Sequence, residues 1–158
     1  MRHHPARAYL RYFLGVAMAE RRIEAKGHVI VCGFGVVGQK VVDSLVEHNI
    51  DFVVVDTSPE VMKKVNELGY KAIEGDATSS KVLKSAGIAS AKAIAITMDD
   101  DAKNLFAVLT SRDLNKKIFI ATRSNDDFLR EKLIDAGADY IVMPQKTASR
   151  EIVKELIK

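Results

Sequence analysis

A single cysteine, Cys32, stands in the whole 158-residue chain, which excludes an intrachain disulfide and any metal centre built from several thiolates. As a lone thiol at the end of an apolar run it reads as buried packing rather than a nucleophile, and a reducing compartment is its natural setting. Tryptophan is absent and aromatic residues make up only 6% of the chain, so the basic residues have no interleaved stacking platforms. Those basic residues mostly alternate with acids, and no nucleic-acid footprint results. No window reaches the roughly 18 apolar residues of a membrane span; the longest candidate, Ala8 to Ala19, is twelve residues long and contains Arg11. The same arginine argues against reading Ala17-Met18-Ala19 as a signal-peptide cleavage site. Only three prolines occur and no low-complexity tract or internal repeat is visible, so residues 28–158 hold no obvious linker.

The net charge of +3 is concentrated at the start, where Arg2, Arg7, Arg11, Arg21, Arg22 and Lys26 face only Glu20 and Glu24. Within this stretch Tyr9, Tyr12, Phe13, Val16, Ala19 and Ile23 recur at helical spacing, which predicts an amphipathic helix or linker over residues 1–26. Its apolar face must bury against this domain, a partner subunit or a membrane surface.

From His28 onward two periods alternate. Short β-branched or apolar runs at His28–Cys32, Phe52–Val55, Lys71–Ile73, Ala93–Ile96, Ile118–Ala121 and Tyr140–Val142 predict six strands. Helical spacing fills the intervals Val37–Glu47, Pro59–Leu68, Ser79–Ala86, Ala102–Leu114 and Asp126–Ala136, with a last helix from about Ala148 to Ile157. Ser58 before Pro59 is an N-cap with proline at the first helical position; Thr78 and Asn125 are candidate caps, and Gly69, Gly87 and Gly137 stand where helices end. Strict alternation implies parallel strands with right-handed crossovers, and strands buried on both faces explain a run such as Phe52-Val53-Val54-Val55. The expected class is a doubly wound α/β Rossmann fold with a six-stranded parallel sheet in the order 3-2-1-4-5-6.

Gly33-Phe34-Gly35-Val36-Val37-Gly38 fits G-x-G-x-x-G at the junction of the first strand and first helix. There Gly33 permits a tight turn, Gly35 keeps side-chain bulk from a pyrophosphate, and Gly38 allows close helix–strand packing. The helix's free N–H groups and positive dipole end then face the phosphates. Asp56 follows Gly38 by 18 residues and ends the second strand, where a carboxylate accepts ribose hydroxyls; the alternative is that it caps the strand end. It would repel a 2′-phosphate, and neither position 57 nor 58 supplies a compensating cation.

Gly75-Asp76-Ala77-Thr78, Thr97-Met98-Asp99-Asp100-Asp101 and Thr122-Arg123-Ser124-Asn125 follow the third, fourth and fifth strands, on the edge where such sheets bind ligands. Asp76 either accepts from an adenine amino group or caps a turn. The three aspartates suggest a divalent ion at first glance, but neighbouring residues splay apart and acids before a helix stabilise its start. Arg123, with no acid close to it in sequence before Asp126, is a donor for a phosphate or for a neighbouring subunit.

A reaction would need an acid or base, and usually a substrate domain. His3 and His4 lie at the chain start, His28 opens a strand and His48 ends a helix on the far side of the sheet. The tyrosines at 9, 12, 70 and 140 are followed four places on by Phe13, Val16, Glu74 and Pro144, not by the lysine of short-chain dehydrogenases. The alternatives from the enzyme class are a small NAD-dependent oxidoreductase or an S-adenosylmethionine methyltransferase completed by a partner. For the latter, Val37 stands where its G-x-G-x-G loop wants glycine.

Taken in order, His28 to Gly38, Phe52 to Asp56, Gly75 to Thr78, Thr97 to Asn104, Arg123 to Asp126 and Ala136 to Asp139 resemble the blocks of the RCK/KTN family, regulators of potassium conductance and transport. The resemblance covers about residues 26 to 158. It implies a cytoplasmic regulatory lobe binding NAD(H) or ATP, ADP or AMP, peripheral to the membrane through a partner that is a membrane-embedded K⁺ channel or transporter pore. It further implies that Gly33, Phe34, Gly35, Val36, Val37 and Gly38 hold phosphates and Asp56, with Thr57 beside it, the ribose. Asp76 and Ala77 border the adenine, Thr97 and Met98 line the far side, and Arg123 faces the ligand or the subunit boundary. Many family members carry arginine where this chain has Val36, which leaves the choice among ATP, ADP and NAD open. The family's carboxyl-terminal ligand lobe has no counterpart in the sequence. The expected organisation is an amphipathic segment at 1–26, a Rossmann nucleotide-binding domain at 27–146 and an assembly helix at 147–158, whose Ile152, Val153, Leu156 and Ile157 would meet another subunit in a homo-oligomer, a dimer or higher ring.

Overall fold

The computed structural model describes residues 25–158; the segment expected to be amphipathic between Tyr9 and Ile23 lies outside them. Six strands, β1 (Val29–Cys32), β2 (Phe52–Asp56), β3 (Ala72–Glu74), β4 (Ala93–Ile96), β5 (Phe119–Arg123) and β6 (Tyr140–Val142), alternate with helices α1 (Val36–Glu47), α2 (Pro59–Glu67), α3 (Ser80–Ser85), α4 (Asp101–Leu114), α5 (Arg130–Ala136) and α6 (Pro144–Leu156). A single 3₁₀ turn, Asp127–Leu129, leads into α5. The sheet runs in the order β3-β2-β1-β4-β5-β6, with every pairing parallel. This is the doubly wound order expected from the alternation of periods.

The side-chain period of two divides each central strand between two cores. Ile30 and Cys32 of β1 join Val53, Val55, Ile94, Ile96 and Ile120 on the face covered by Leu83 of α3, Ala107 and Val108 of α4 and Leu133 of α5. Val29 and Val31 join Val54 on the other face, under Val42 of α1 and Met62 and Val65 of α2. Burial on both faces is why these strands do not alternate with polar residues. Each fully buried Val or Ile side chain contributes about 1.5–3 kcal/mol. Register is fixed by the same pattern, with Ile30 level with Val53 on one side and Ile94 on the other.

Two caps fall one residue later than expected. Thr78 is tied back to Asp76, so it is Ser79 whose hydroxyl accepts from Val82 N–H at the start of α3. Asn125 is engaged with Arg123 and Asp99, leaving Asp126 to accept from Phe128 N–H at 2.9 Å. The last helix starts at Pro144 rather than near Ala148, because proline's fixed φ suits the first helical position. Ser58 caps α2 with Pro59 behind it, and Gly69, Gly87 and Gly137 take positive φ beyond helix ends as expected.

Candidate functional site

The crossover from β1 to α1 brings the glycine loop to the carboxyl edge of the sheet, and its three glycines are there for different reasons. Gly33 has φ +95° and a side chain on it would press on Met98 at 3.1 Å. A Cβ on Gly38 would run into the Gly33 carbonyl oxygen, so its absence lets α1 pack on the turn. Gly35 has φ −79° and ψ −156°, a conformation any residue adopts, and no atom lies within 4 Å of where its Cβ would be. Neither packing nor backbone geometry asks for glycine at 35. What remains is the space in front of it.

That space meets the positive end of α1. Gly35 as N-cap supplies no side-chain cap, and the first turn carries no acid. Ser58, Ser79 and Asp100 by contrast each cap their helix with a side-chain oxygen. An uncapped 12-residue helix start opening on a cavity offers free N–H groups and a positive dipole end to an anion.

Asp56 closes the opposite wall. Its Oδ2 accepts from Phe34 N–H at 2.8 Å and its Oδ1 from Ser58 N–H at 2.9 Å. The carboxylate therefore caps the strand end and braces the glycine loop, and an ionised carboxylate still has lone pairs for a ligand's hydroxyls. Beneath it, burial pushes the Cys32 thiol far up from its ordinary range, with the Asp56 charge adding to the effect. Cys32 is fully buried and serves packing.

Behind the loop, Thr97 Oγ1 donates towards the carbonyls of Cys32 and Gly33, each at 3.1 Å. Asn104, fully buried, accepts from Met98 N–H and donates to the carbonyls of Met98 and Arg123. It thus pins the β4 and β5 ends to α4. Its signal in the sequence is a lone amide on the buried face of α4 that Ala107, Val108 and Ser111 continue.

These groups enclose a cavity of about 670 Å³ lined by Gly33, Phe34, Gly35, Val36, Val55, Asp56, Thr57, Gly75, Asp76, Ala77, Thr97, Met98, Asp99, Asp100, Lys103 and Arg123. The volume suits a nucleotide-sized ligand. Of the residues expected from the sequence, Val37 and Gly38 do not line it; Gly38 acts through packing. Val55, Gly75, Asp99, Asp100 and Lys103 line it without having been among the expected site residues.

Asp76 is held as a turn cap, its Oδ1 accepting from the N–H and hydroxyl of Thr78 at 2.9 and 2.8 Å. Those bonds hold its carboxyl below the usual aspartate range, with a smaller contribution from the Lys103 charge. The three consecutive aspartates do different jobs. Asp100 caps α4 through Lys103 N–H, Asp101 accepts from Asn125 N–H, and Asp99 pairs with Arg123 at 3.1 Å. Arg123 therefore does have an acid beside it, supplied across 24 residues by the β4 end rather than by its own neighbourhood. Its side chain is only 11% exposed, and Nε is buried without a hydrogen-bond partner among the described residues.

Fold and cavity together define a Rossmann-type nucleotide-binding domain. The TrkA-N domain model matches residues 29–144, and the chain belongs to that family. It is 32% identical over 148 residues to potassium channel protein 1 of Methanocaldococcus jannaschii, a match covering 92% of this chain and 44% of that protein; the chain thus spans less than half of that relative. Among solved structures, the TrkA-N domain of the inner membrane protein YbaL from Escherichia coli superposes with a TM-score of 0.82 at 25% identity, covering 85% of this chain and 99% of that one. The GsuK channel bound to NAD matches in fold, with a TM-score of 0.72 at 24% identity over 87% of this chain and 25% of that one. Among the described residues no helix is long and apolar enough to cross a membrane.

Proposed function

We propose that this chain is a regulatory nucleotide-binding lobe of a K⁺ channel or K⁺ transporter, not an enzyme, and that it works on the cytoplasmic side of a membrane-embedded pore. The observation that carries the nucleotide reading is Gly35: a glycine that the protein's own packing and backbone do not require, at an uncapped helix start, opposite a carboxylate at the ribose position. NAD(H), ATP, ADP or AMP are the ligands such a wall accepts. The phosphates would lie on the first turn of α1 and the ribose on Asp56. The channel reading is supported by the relationship to potassium channel protein 1.

Binding does work on a pore only through differential affinity for two subunit arrangements, with a coupling of about 1–3 kcal/mol being typical. The assembly element of residues 147–158 fits that role, because Ile152, Leu156 and Ile157 are 60%, 75% and 78% exposed on and beyond α6. They would meet the same helix of a second copy in a dimer or higher ring. Calorimetric titration with NADH, NAD, ATP, ADP, AMP and S-adenosylmethionine separates this reading from the enzyme alternatives. Micromolar or tighter binding of an adenine nucleotide or NAD(H) is expected, and binding of S-adenosylmethionine alone would overturn it.

A further inference from the structure

Six charged side chains line the cavity: Asp56, Asp76, Asp99, Asp100, Lys103 and Arg123. Acids outnumber bases by four to two, an unfavourable lining for a ligand carrying phosphates unless some charge is committed elsewhere. Asp56, Asp76 and Asp100 accept from the N–H groups of Phe34 and Ser58, of Thr78 and of Lys103, bonds that leave their charge in place, and of the four acids Asp99 is the one paired with a cation, Arg123. The Arg123 guanidinium already donates through Nη2 to Asp99 and Asn125, and its side chain is only 11% exposed. Val36 is 81% exposed at the open end of the glycine loop and brings no charge.

Lys103 differs from all of these. It lies in the first turn of α4, exposed, on the cavity wall, and among the described residues its ammonium forms no ion pair. It and Asp76, which follows β3, line the same cavity. A lysine is a compact charge on a flexible stem, suited to following phosphate oxygens whose number varies.

We propose that Lys103 is the specificity-determining residue for phosphate charge in this site: its ammonium contacts the phosphate oxygens of the bound nucleotide and supplies the cation that Val36 does not. This rests on the nucleotide reading of the cavity above. Affinity should then rise with phosphate charge through Lys103, while adenosine, which has none, is indifferent to it.

The test compares the whole chain with its Lys103→Met and Lys103→Arg variants, titrated with adenosine, AMP, ADP, ATP and NADH at two salt concentrations. Lys103 is exposed, so circular dichroism should report unchanged folding. The expected result is a loss of about tenfold or more for ADP and ATP in Lys103→Met, the scale of a hydrogen bond to a charged group. Adenosine affinity should be unchanged, salt dependence weaker, and most affinity restored in Lys103→Arg. Equal losses for adenosine and ATP would show that Lys103 shapes the wall without reading phosphate, and unchanged ATP affinity would remove it from the site; either result overturns the proposal while leaving the nucleotide reading intact. If the unsubstituted chain takes none of the five ligands, the nucleotide reading itself fails and the proposal with it.

Discussion

Asp56 Oδ2 accepts from the Phe34 N–H at 2.8 Å, which ties the end of β2 to the turn that follows β1. The residue proposed to take the ribose therefore also holds the loop proposed to take the phosphates. Changing it disturbs ligand and scaffold together.

Asp56→Ala should consequently lower both affinity and stability. Removing a part-buried charged acceptor leaves the Phe34 and Ser58 N–H groups without it, a cost of about 1–3 kcal/mol, well inside the 5–15 kcal/mol of an ordinary domain. The variant should fold with a lowered melting temperature and bind nucleotide about tenfold or more weakly. Unchanged affinity in calorimetry would mean that the ribose is not at Asp56.

The glycines at 35 and 38 should separate in a way that a purely structural loop would not. Gly35→Ala places a methyl group in open space at a permitted φ, so its melting temperature should stay within a few degrees while nucleotide affinity falls. Gly38→Ala forces Cβ against the Gly33 carbonyl, and overpacking against backbone should cost at least about 1–3 kcal/mol. Thermal denaturation alongside titration distinguishes the two. A Gly35→Ala variant with full affinity would remove the main support for a phosphate there.

How far the sequence carried these conclusions depended on the range of the interaction. The strands were legible because Ile30 and Cys32 face one core and Val29 and Val31 the other, a period that any local window contains. The glycine loop and Asp56 were legible through spacing along the chain. The Asp99–Arg123 pair was not, because it joins two strand ends 24 residues apart, and an arginine without an acid nearby in sequence looked free. Lys103 stayed hidden for a similar reason: a lysine in a helix's first turn is ordinary until the fold turns it towards a cavity. The misplaced caps at Thr78 and Asn125 are a milder case, since each stands beside a residue equally able to cap and only tertiary partners decide between them.

Asp76 gives a pH dependence with a definite sign. Its folded carboxyl lies below the ordinary value because the Thr78 N–H and hydroxyl favour the ionised form. The stability it contributes is thus present above the unfolded aspartate value of about 3.9 and is lost as pH falls from there through the lowered folded value. Thr78→Val removes the hydroxyl and keeps the N–H, so the Asp76 titration followed by carboxyl NMR should move up towards the ordinary value without reaching it. No movement would assign the depression to another group.

Assembly through α6 predicts a concentration-dependent mass. Ile152→Glu with Leu156→Glu places charge on two exposed apolar positions that make no part of either core, so the fold should be retained. Sedimentation should show the unsubstituted chain as a dimer or larger species and the double variant as a monomer. Identical masses would place the contact elsewhere.

Arg112 and Asp139 offer a prediction about stability alone. From α4, the Arg112 guanidinium donates to the Gly137 carbonyl at 2.7 Å, to the Ile118 carbonyl at 2.9 Å and to Asp139 Oδ2 at 2.9 Å. Asp139 Oδ2 in turn accepts from Ile120 N–H at 2.8 Å. One side chain thus satisfies the loop before β5 and the positive-φ turn before β6, both at the edge of the sheet opposite the cavity. Arg112→Met keeps the stem that packs against Gly137 and removes every donor. Because the Arg112 side chain is 21% exposed and Asp139 41% exposed, water replaces part of what is lost, and a cost of about 2–3 kcal/mol is expected. Chemical denaturation should register that cost at an unchanged m-value, while nucleotide affinity measured on the folded variant stays as it was. A fall in affinity matching the fall in stability would show that the two edges of the sheet are coupled.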